Sequence, residues 1–447
     1  MKTPIRDFVL SYCEQSPDRF HMPGHKGKSF LGFEKYDITE IDGADVLYSA
    51  AGIIKESEKN ASELFSSFRT YYSCEGSSLC IKAMLAMIAS GRKNKDRKTR
   101  ILAARNVHKA FVYGCALCDI DVDWLYPQQA GHLCSCVITA SELEKRLEEA
   151  DGEYDAVYIT SPDYLGQISD IKALSEVCER FSVPLLADNA HGAYLAFLDE
   201  SLHPINNGAF MCCDSAHKTL PVLTGGAYLH LSEKAADMCE KAENMMSLMG
   251  STSPSYLILQ SLDVCNRYLS EGYCERLKET VNAVSELKLK LDKKGFFTAE
   301  SEPLKLVLDL KRSELCCRNA VSSLRKANIV PEFYDESYIV FMLTPENSQE
   351  SLERLYRAII SLERGNDTLA TDKPYKTSEP EKSMCIRDAV FSEKELISTV
   401  DAEGRICASP TVSCPPAVPV VVSGEIIGKA EIELMLSHGT DKIEVVK

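Results

Sequence analysis

The chain has 447 residues, 45% of them hydrophobic and 26% charged, a composition of folded material long enough for a large core and one or two smaller domains. A net charge of −16 excludes the basic footprint of a nucleic-acid binder. No run approaches the ~18 apolar residues of a membrane span and the first residues carry no signal-type apolar stretch, so the sequence predicts a cytoplasmic protein with neither membrane nor nucleic acid as partner.

Residues 1–40 mix Pro, Gly and His, as in Phe20-His21-Met22-Pro23-Gly24-His25-Lys26-Gly27, without a sustained period, and read as an arm or lid rather than a packed element. His21 and His25 are candidate substrate contacts there. A helical pattern runs from Ser57 to Phe68. Gly76, Ser77 and Ser78 then open an apolar helix from Leu79 to Ile88. Backbone N–H groups, the positive end of the helix dipole and hydroxyls converge at that point, which suits a cofactor phosphate; plain N-capping by Ser77 or Ser78 accounts for the same residues equally well.

Ile101–Ala104 and Val122–Tyr126 read as strands around a helix opened by Arg105–Lys109, and Ala156–Thr160 is a strand followed by a helix that Ser169 is placed to cap. The apolar run Val183–Ala187 ends at Asp188, and another strand lies within Leu223–His230 behind a glycine turn. This β–α alternation predicts a doubly wound, mainly parallel sheet whose strand ends present His108, Ser161, Asp188 and His191. From about Ser255 to Lys294 the period is helical. Alternating segments at Leu304–Leu308 and Tyr338–Met342 then predict a smaller α/β domain. The expected organisation is an arm (1–40), a large domain (41–275), a small α/β domain (276–363), a polar linker (364–384) and a small C-terminal module (385–447) that carries Cys414-Pro415-Pro416 and Gly424-Glu425.

The 18 cysteines are scattered through apolar segments and read as small buried hydrophobes of a reducing compartment. Cys115 and Cys118, with His132, Cys134 and Cys136 downstream, lack a second clean chelating pair, so no metal site is predicted. The chemistry concentrates instead in Asp188-Asn189-Ala190-His191 and Ser215-Ala216-His217-Lys218. Pyridoxal phosphate (PLP) needs a lysine to hold its aldehyde as a Schiff base and a carboxylate to keep its ring nitrogen protonated. Lys218 and Asp188 fit those roles, with Ser215 and His217 beside them.

These segments resemble the ornithine/lysine/arginine decarboxylases of the aspartate-aminotransferase fold, particularly the short bacterial forms without an N-terminal wing domain. The resemblance runs nearly end to end, through the 20–27 segment, Asp37–Glu40, Gly76-Ser77-Ser78, Arg105–Lys109, Asp188–Ala193, Ser215–Pro221, Ser251–Tyr256 and the Pro-rich tail ending in Gly-Glu. It implies a PLP-binding large domain of the aminotransferase type, Lys218 as the Schiff-base lysine, Asp188 as partner of the pyridine nitrogen, and His108 stacked on the ring. It further implies a catalytic His191 and cofactor contacts from Gly76, Ser77, Ser78, Ala190, Ser215 and His217. Thr252 or Ser253 would reach the phosphate bound in the neighbouring subunit of a homodimer with shared active sites. The implied reaction is decarboxylation of a basic L-amino acid, with Glu425 a candidate acceptor for its cationic side chain. Another PLP reaction on the same fold, of the aminotransferase or aldolase type, and a silent PLP-binding homologue are the rival readings. Three residues depart from the family pattern: Glu75, where Asn commonly stands, Asn189, where Glu is common, and Gly225, where a larger polar residue is frequent.

Overall fold

The computed structural model describes residues 1–92, 95–127, 131–150, 153–365, 379–410 and 417–447. Most of the expected linker, and the Cys414-Pro415-Pro416 run, therefore lie outside the described residues. The chain opens with α1 (Pro4–Glu14) and α2 (Ile53–Phe65), followed by β1 (Arg69–Ser73), α3 (Ser77–Gly91) and β2 (Thr99–Ala104). Then come α4 (Lys109–Cys118), β3 (Ile120–Leu125), α5 (Ala140–Glu148), β4 (Ala156–Thr160) and α6 (Ile171–Arg180). Next are β5 (Leu185–Asp188), β6 (Met211–Asp214), α7 (Ala216–Thr219) and β7 (Ala227–Leu231). These strands form one mostly parallel seven-stranded sheet in the order β1-β7-β6-β5-β4-β2-β3. Strand β7 runs antiparallel to both β1 and β6.

Helices α8 (Cys239–Met249), α9 (Tyr256–Ser270) and α10 (Tyr273–Lys293) follow. The single helical period of Ser255–Lys294 is thus broken in two. Gly272 stands at the break with a φ of 68°, a left-handed conformation that a helix cannot continue through. The remaining elements are β8 (Thr298–Ala299), β9 (Lys305–Asp309), α11 (Cys317–Lys326), β10 (Phe333–Tyr334), β11 (Tyr338–Met342), α12 (Gln349–Ile360), α13 (Ile386–Phe391), β12 (Lys394–Ser398), α14 (Lys429–Ser437) and β13 (Lys442–Val446).

Two compact units emerge from the packing: Met1–Thr99, Leu147–Ile159 and Asp170–Glu275 make the first, and Arg100–Arg146, Thr160–Ser169 and Arg276–Lys447 the second. In the first, the apolar stretch of the sequence becomes α3, buried almost all round, as a helix without a polar face must be. In the second, the four-stranded sheet β10-β11-β9-β8 carries alternate residues such as Leu306, Leu308, Ile339 and Phe341 into one core with Val284, Leu291, Leu324 and Ile359 of the helices. The β12–β13 ribbon and α14 close a smaller core around Cys407, Ile427, Met435 and Val445.

Two local expectations are corrected. The first part of the arm is a packed helix: Pro4 starts α1, Ile5 and Val9 share a face at i and i+4 and are fully buried, and the Arg6 N–H donates to Asp263 Oδ2 at 2.9 Å. The cap of α6 is Asp170, whose Oδ1 accepts from the Ala173 N–H at 3.0 Å, while the Ser169 N–H donates to Ser161 Oγ. Either residue type can cap, and only the geometry separates neighbours.

Candidate active site

Strands β5 and β6 pair in parallel with Asp188 opposite Cys213, so both strands end at the same level, and the Asn189 N–H continues the ladder to Cys213 O at 2.9 Å. Asp188 therefore stands at the carboxyl edge of the sheet, and the short helix α7 follows β6 with Ser215 alone between them. The Lys218 N–H donates to Ser215 O at 3.0 Å, which turns the chain so that Lys218 Nζ lies 3.0 Å from His191 Nε2. Lysine and imidazole nitrogens at hydrogen-bond distance form a pair between which a proton can move.

Asp188 is 2% exposed. Its Oδ2 accepts from the Tyr158 hydroxyl at 3.2 Å, and its Oδ1 from the Ala190 N–H at 3.2 Å and the Cys213 thiol at 3.7 Å. Burial pushes its carboxyl above the usual carboxylate range, against the Lys218 charge and these three donors. A buried carboxylate so placed gains from a cation set against it, which is what a protonated pyridine nitrogen offers. Tyr158 is the contributor that sequence reasoning missed; it sits inside an apolar strand, where nothing in the pattern marks its hydroxyl.

Ser77 is the first residue of α3, and Ser215 Oγ donates to Ser77 Oγ at 2.8 Å. Gly76 precedes it with a φ of 68°, and a Cβ there would meet nothing nearer than Ser78 N at 3.9 Å, so the approach to the helix N-terminus is open. Thr219 Oγ1 is buried with no hydrogen-bond partner among the described residues. The half-buried His217 directs Nδ1–H to Gly226 O at 3.0 Å. Burial, and then the Lys218 charge, lowers its pKa, so an anion at Nε2 would have to draw a second proton onto the ring. Lysine amine, buried carboxylate and a hydroxyl-lined helix N-terminus are the donor set that PLP requires, and the residues present fit it.

The three departures find physical reasons. Glu75 Oε1 accepts from the Ser251 N–H at 2.6 Å and thereby holds the exposed segment that carries Thr252 and Ser253. Gly225 has a φ of 100° and its carbonyl accepts from the Gly76 N–H at 2.7 Å; a Cβ would fall 2.8 Å from Cys74 O. Gly225→Ala is expected to cost about 1–3 kcal/mol of stability through this clash and the left-handed backbone, measured by denaturant unfolding.

Asn189 belongs to a buried cluster. Its Nδ2 donates to Asp214 Oδ1 at 2.7 Å, while Asp214 Oδ2 lies 2.9 Å from His203 Nε2 and 3.2 Å from His230 Nε2. All four side chains are fully buried. Burial opposes the Asp214 charge, yet the two imidazoles hold its carboxyl well below the usual range. A glutamate at 189 would bring a second carboxylate onto Asp214, so the amide suits this chain's own surroundings.

His108 caps α4, its Nδ1 accepting from the Ala110 N–H at 3.1 Å. His21 pairs with the Tyr12 hydroxyl at 2.6 Å and His25 with Asp37 at 3.2 Å, so the structure employs both histidines in holding the arm. Glu425 is buried; its Oε2 accepts from Arg105 at 3.1 Å and from the Val422 N–H at 2.7 Å, and burial raises its pKa against the Arg105 charge.

A family model described as "Orn/Lys/Arg decarboxylase, major domain" matches residues 3–307, and one described as "Orn/Lys/Arg decarboxylase, C-terminal domain" matches 368–438. The chain is 28% identical to an arginine decarboxylase of Bacillus subtilis, covering 98% of this chain and 94% of the relative. It is 22% identical to the constitutive ornithine decarboxylase of Escherichia coli, covering 96% of this chain and 80% of the relative. The lysine decarboxylase of Francisella novicida superposes with a TM-score of 0.81 at 16% identity, covering 100% of this chain and 81% of that one, which shows the shared fold. The chain belongs to the Orn/Lys/Arg decarboxylase family, and is a PLP-dependent amino-acid decarboxylase of the aspartate-aminotransferase-like fold.

Proposed function

We propose that the chain converts a basic L-amino acid to the corresponding amine and CO₂ in the cytoplasm, with PLP held at Lys218, and that arginine is its preferred substrate. The observation that carries this reading is the placement of Lys218 Nζ against His191 in a chain whose Asp188 is buried at the neighbouring strand end. The preference for arginine is supported by four relatives named arginine decarboxylase, at 27–28% identity over at least 95% of this chain.

Bound PLP supplies an electron sink that lets the bond from Cα to the carboxylate break. The chain's residues do the rest. Asp188 would hold the proton on the ring nitrogen, Ser77, Ser215 and the first N–H groups of α3 would hold the phosphate, and the family resemblance assigns His108 to the face of the ring. Lys218 Nζ and His191 Nε2, 3.0 Å apart, would hold the proton that the amine product needs at Cα.

We assign the working form to a homodimer with shared sites. The arm supports this, since Phe20 is 95% exposed and Met22, Phe30 and Leu31 are exposed beside it, a concentration of apolar surface that a second copy would cover.

The test is to load the purified chain with PLP, offer arginine, lysine and ornithine separately, and measure amine and CO₂. Equal amine and CO₂, greatest from arginine, is the expected result. Pyruvate-dependent transamination, or no product despite bound PLP, would overturn it. Asp188→Ala is expected to keep part of the cofactor and lose at least ~100-fold in kcat, because the ring nitrogen loses its counter-charge; absorbance and steady-state rates check both halves.

A further inference from the structure

His132, in the loop after β3, meets Asp335, in the turn between β10 and β11, and His438, at the C-terminal end of α14. One ligand atom from each lies within 4.8 Å of the others. His132 Nε2 is 2.6 Å from Asp335 Oδ2, and the two imidazole rings are 6.4 Å apart with their planes at 61°. The second oxygen of Asp335, Oδ1, accepts the backbone N–H groups of Ser337 and Tyr338 at 2.8 Å each, so the turn itself aims Oδ2 at the cluster.

The protonation of His438 follows from its neighbour. Its Nδ1 lies 3.0 Å from Leu434 O, and a carbonyl only accepts, so Nδ1 carries a proton and the neutral ring has its lone pair on Nε2. That Nε2 is buried and has no hydrogen-bond partner among the described residues. A buried acceptor without a donor is costly to keep, and an imidazole whose far N–H is anchored on a backbone carbonyl is oriented as metal-bound histidines are.

We propose that His132, Asp335 and His438 bind a divalent transition-metal ion of the zinc class. Two imidazole nitrogens and one carboxylate oxygen suit such a borderline ion, with water in the fourth position. Coordination requires His438 to close in from a spacing within 4.8 Å, and the His132 and Asp335 atoms to part from 2.6 Å to the ~3.3 Å between ligands of a tetrahedral ion. It also requires His132 to hold its ring proton on Nδ1 instead of Nε2, giving up the 3.2 Å bond that Nδ1 accepts from the Cys134 N–H. No net proton is released in that exchange. The ion would tie together segments as far apart in sequence as His132 and His438, and would fasten the C-terminal helix to the small sheet.

Cobalt(II) is the probe, because its visible bands report nitrogen and oxygen ligands while a near-ultraviolet charge-transfer band reports thiolates, which matters in a chain with 18 cysteines. Chelator-treated full-length protein is expected to take up one cobalt per chain without a thiolate band and to unfold at a higher temperature with the metal. His438→Gln and Asp335→Asn should each lose both effects while matching the wild type without metal. No saturable uptake, a thiolate band, or uptake unchanged in both variants would overturn the proposal. If a variant fails to fold, protection of His438 from diethyl pyrocarbonate in the wild type decides: cobalt should slow its modification, and an unaltered rate would count against the site.

Discussion

Lys218→Ala is expected to reduce turnover to background, a loss of at least ~10³-fold, because in the proposed function the residue supplies both the covalent tether for the cofactor and one nitrogen of the pair with His191. The variant should fold normally. Its backbone N–H still reaches Ser215 O, and the substitution removes a partly exposed side chain from a four-residue helix rather than from the core. Far-UV circular dichroism and unfolding should match the wild type while the absorbance of lysine-bound PLP disappears. A Lys218→Ala protein that turns over at more than a few per cent of the wild-type rate would place the chemistry on another amine.

The largest expected loss of stability comes from Asp214→Ala. The carboxylate is the shared acceptor for His203, His230 and Asn189, and removing it leaves three polar side chains fully buried without it. Breaking a buried charge network of this kind costs about 3–5 kcal/mol, enough to lower the unfolding midpoint by several degrees or to leave the chain insoluble. The sign of the pH dependence follows from the two shifts. The Asp214 carboxyl is lowered in the folded state, so its contribution is present above the ordinary value of 3.8 and is lost as the pH falls below it. His230 is lowered by burial, despite Asp214 beside it, so the folded chain also resists its protonation as the pH falls through 6.5. Both make acid destabilising. Unfolding followed from pH 7 to pH 3 should show wild-type stability falling, and a cost below about 1 kcal/mol for Asp214→Ala at pH 7 would show that the network is not a structural one.

The same cluster shows what a sequence can and cannot reveal. Asp188 and Lys218 were legible because each stands in a local context with few readings, an apolar strand ending in a carboxylate and a lysine just past another strand end. Ser77 and Gly76 were legible as a helix start, though capping and phosphate binding left the same residues there. Asn189 was visible only as a departure. Its reason is Asp214, which lies one residue before Ser215 and passes in the sequence for an ordinary strand end, and two histidines that neither a period nor a spacing connects to it. His132 and Asp335, 203 residues apart, were unreadable as a pair for the same reason. In the opening segment, the charges between Ile5 and Val9 masked a helix that its buried face and the Arg6 bond to Asp263 stabilise. Tertiary contact outweighed local pattern there.

Reducing the PLP-loaded chain with borohydride and mapping the fixed cofactor by peptide mass spectrometry identifies the lysine that holds it. One phosphopyridoxyl group per chain, on Lys218, is the expected result. Labelling of a different lysine, or no label on a chain that binds PLP, would contradict it.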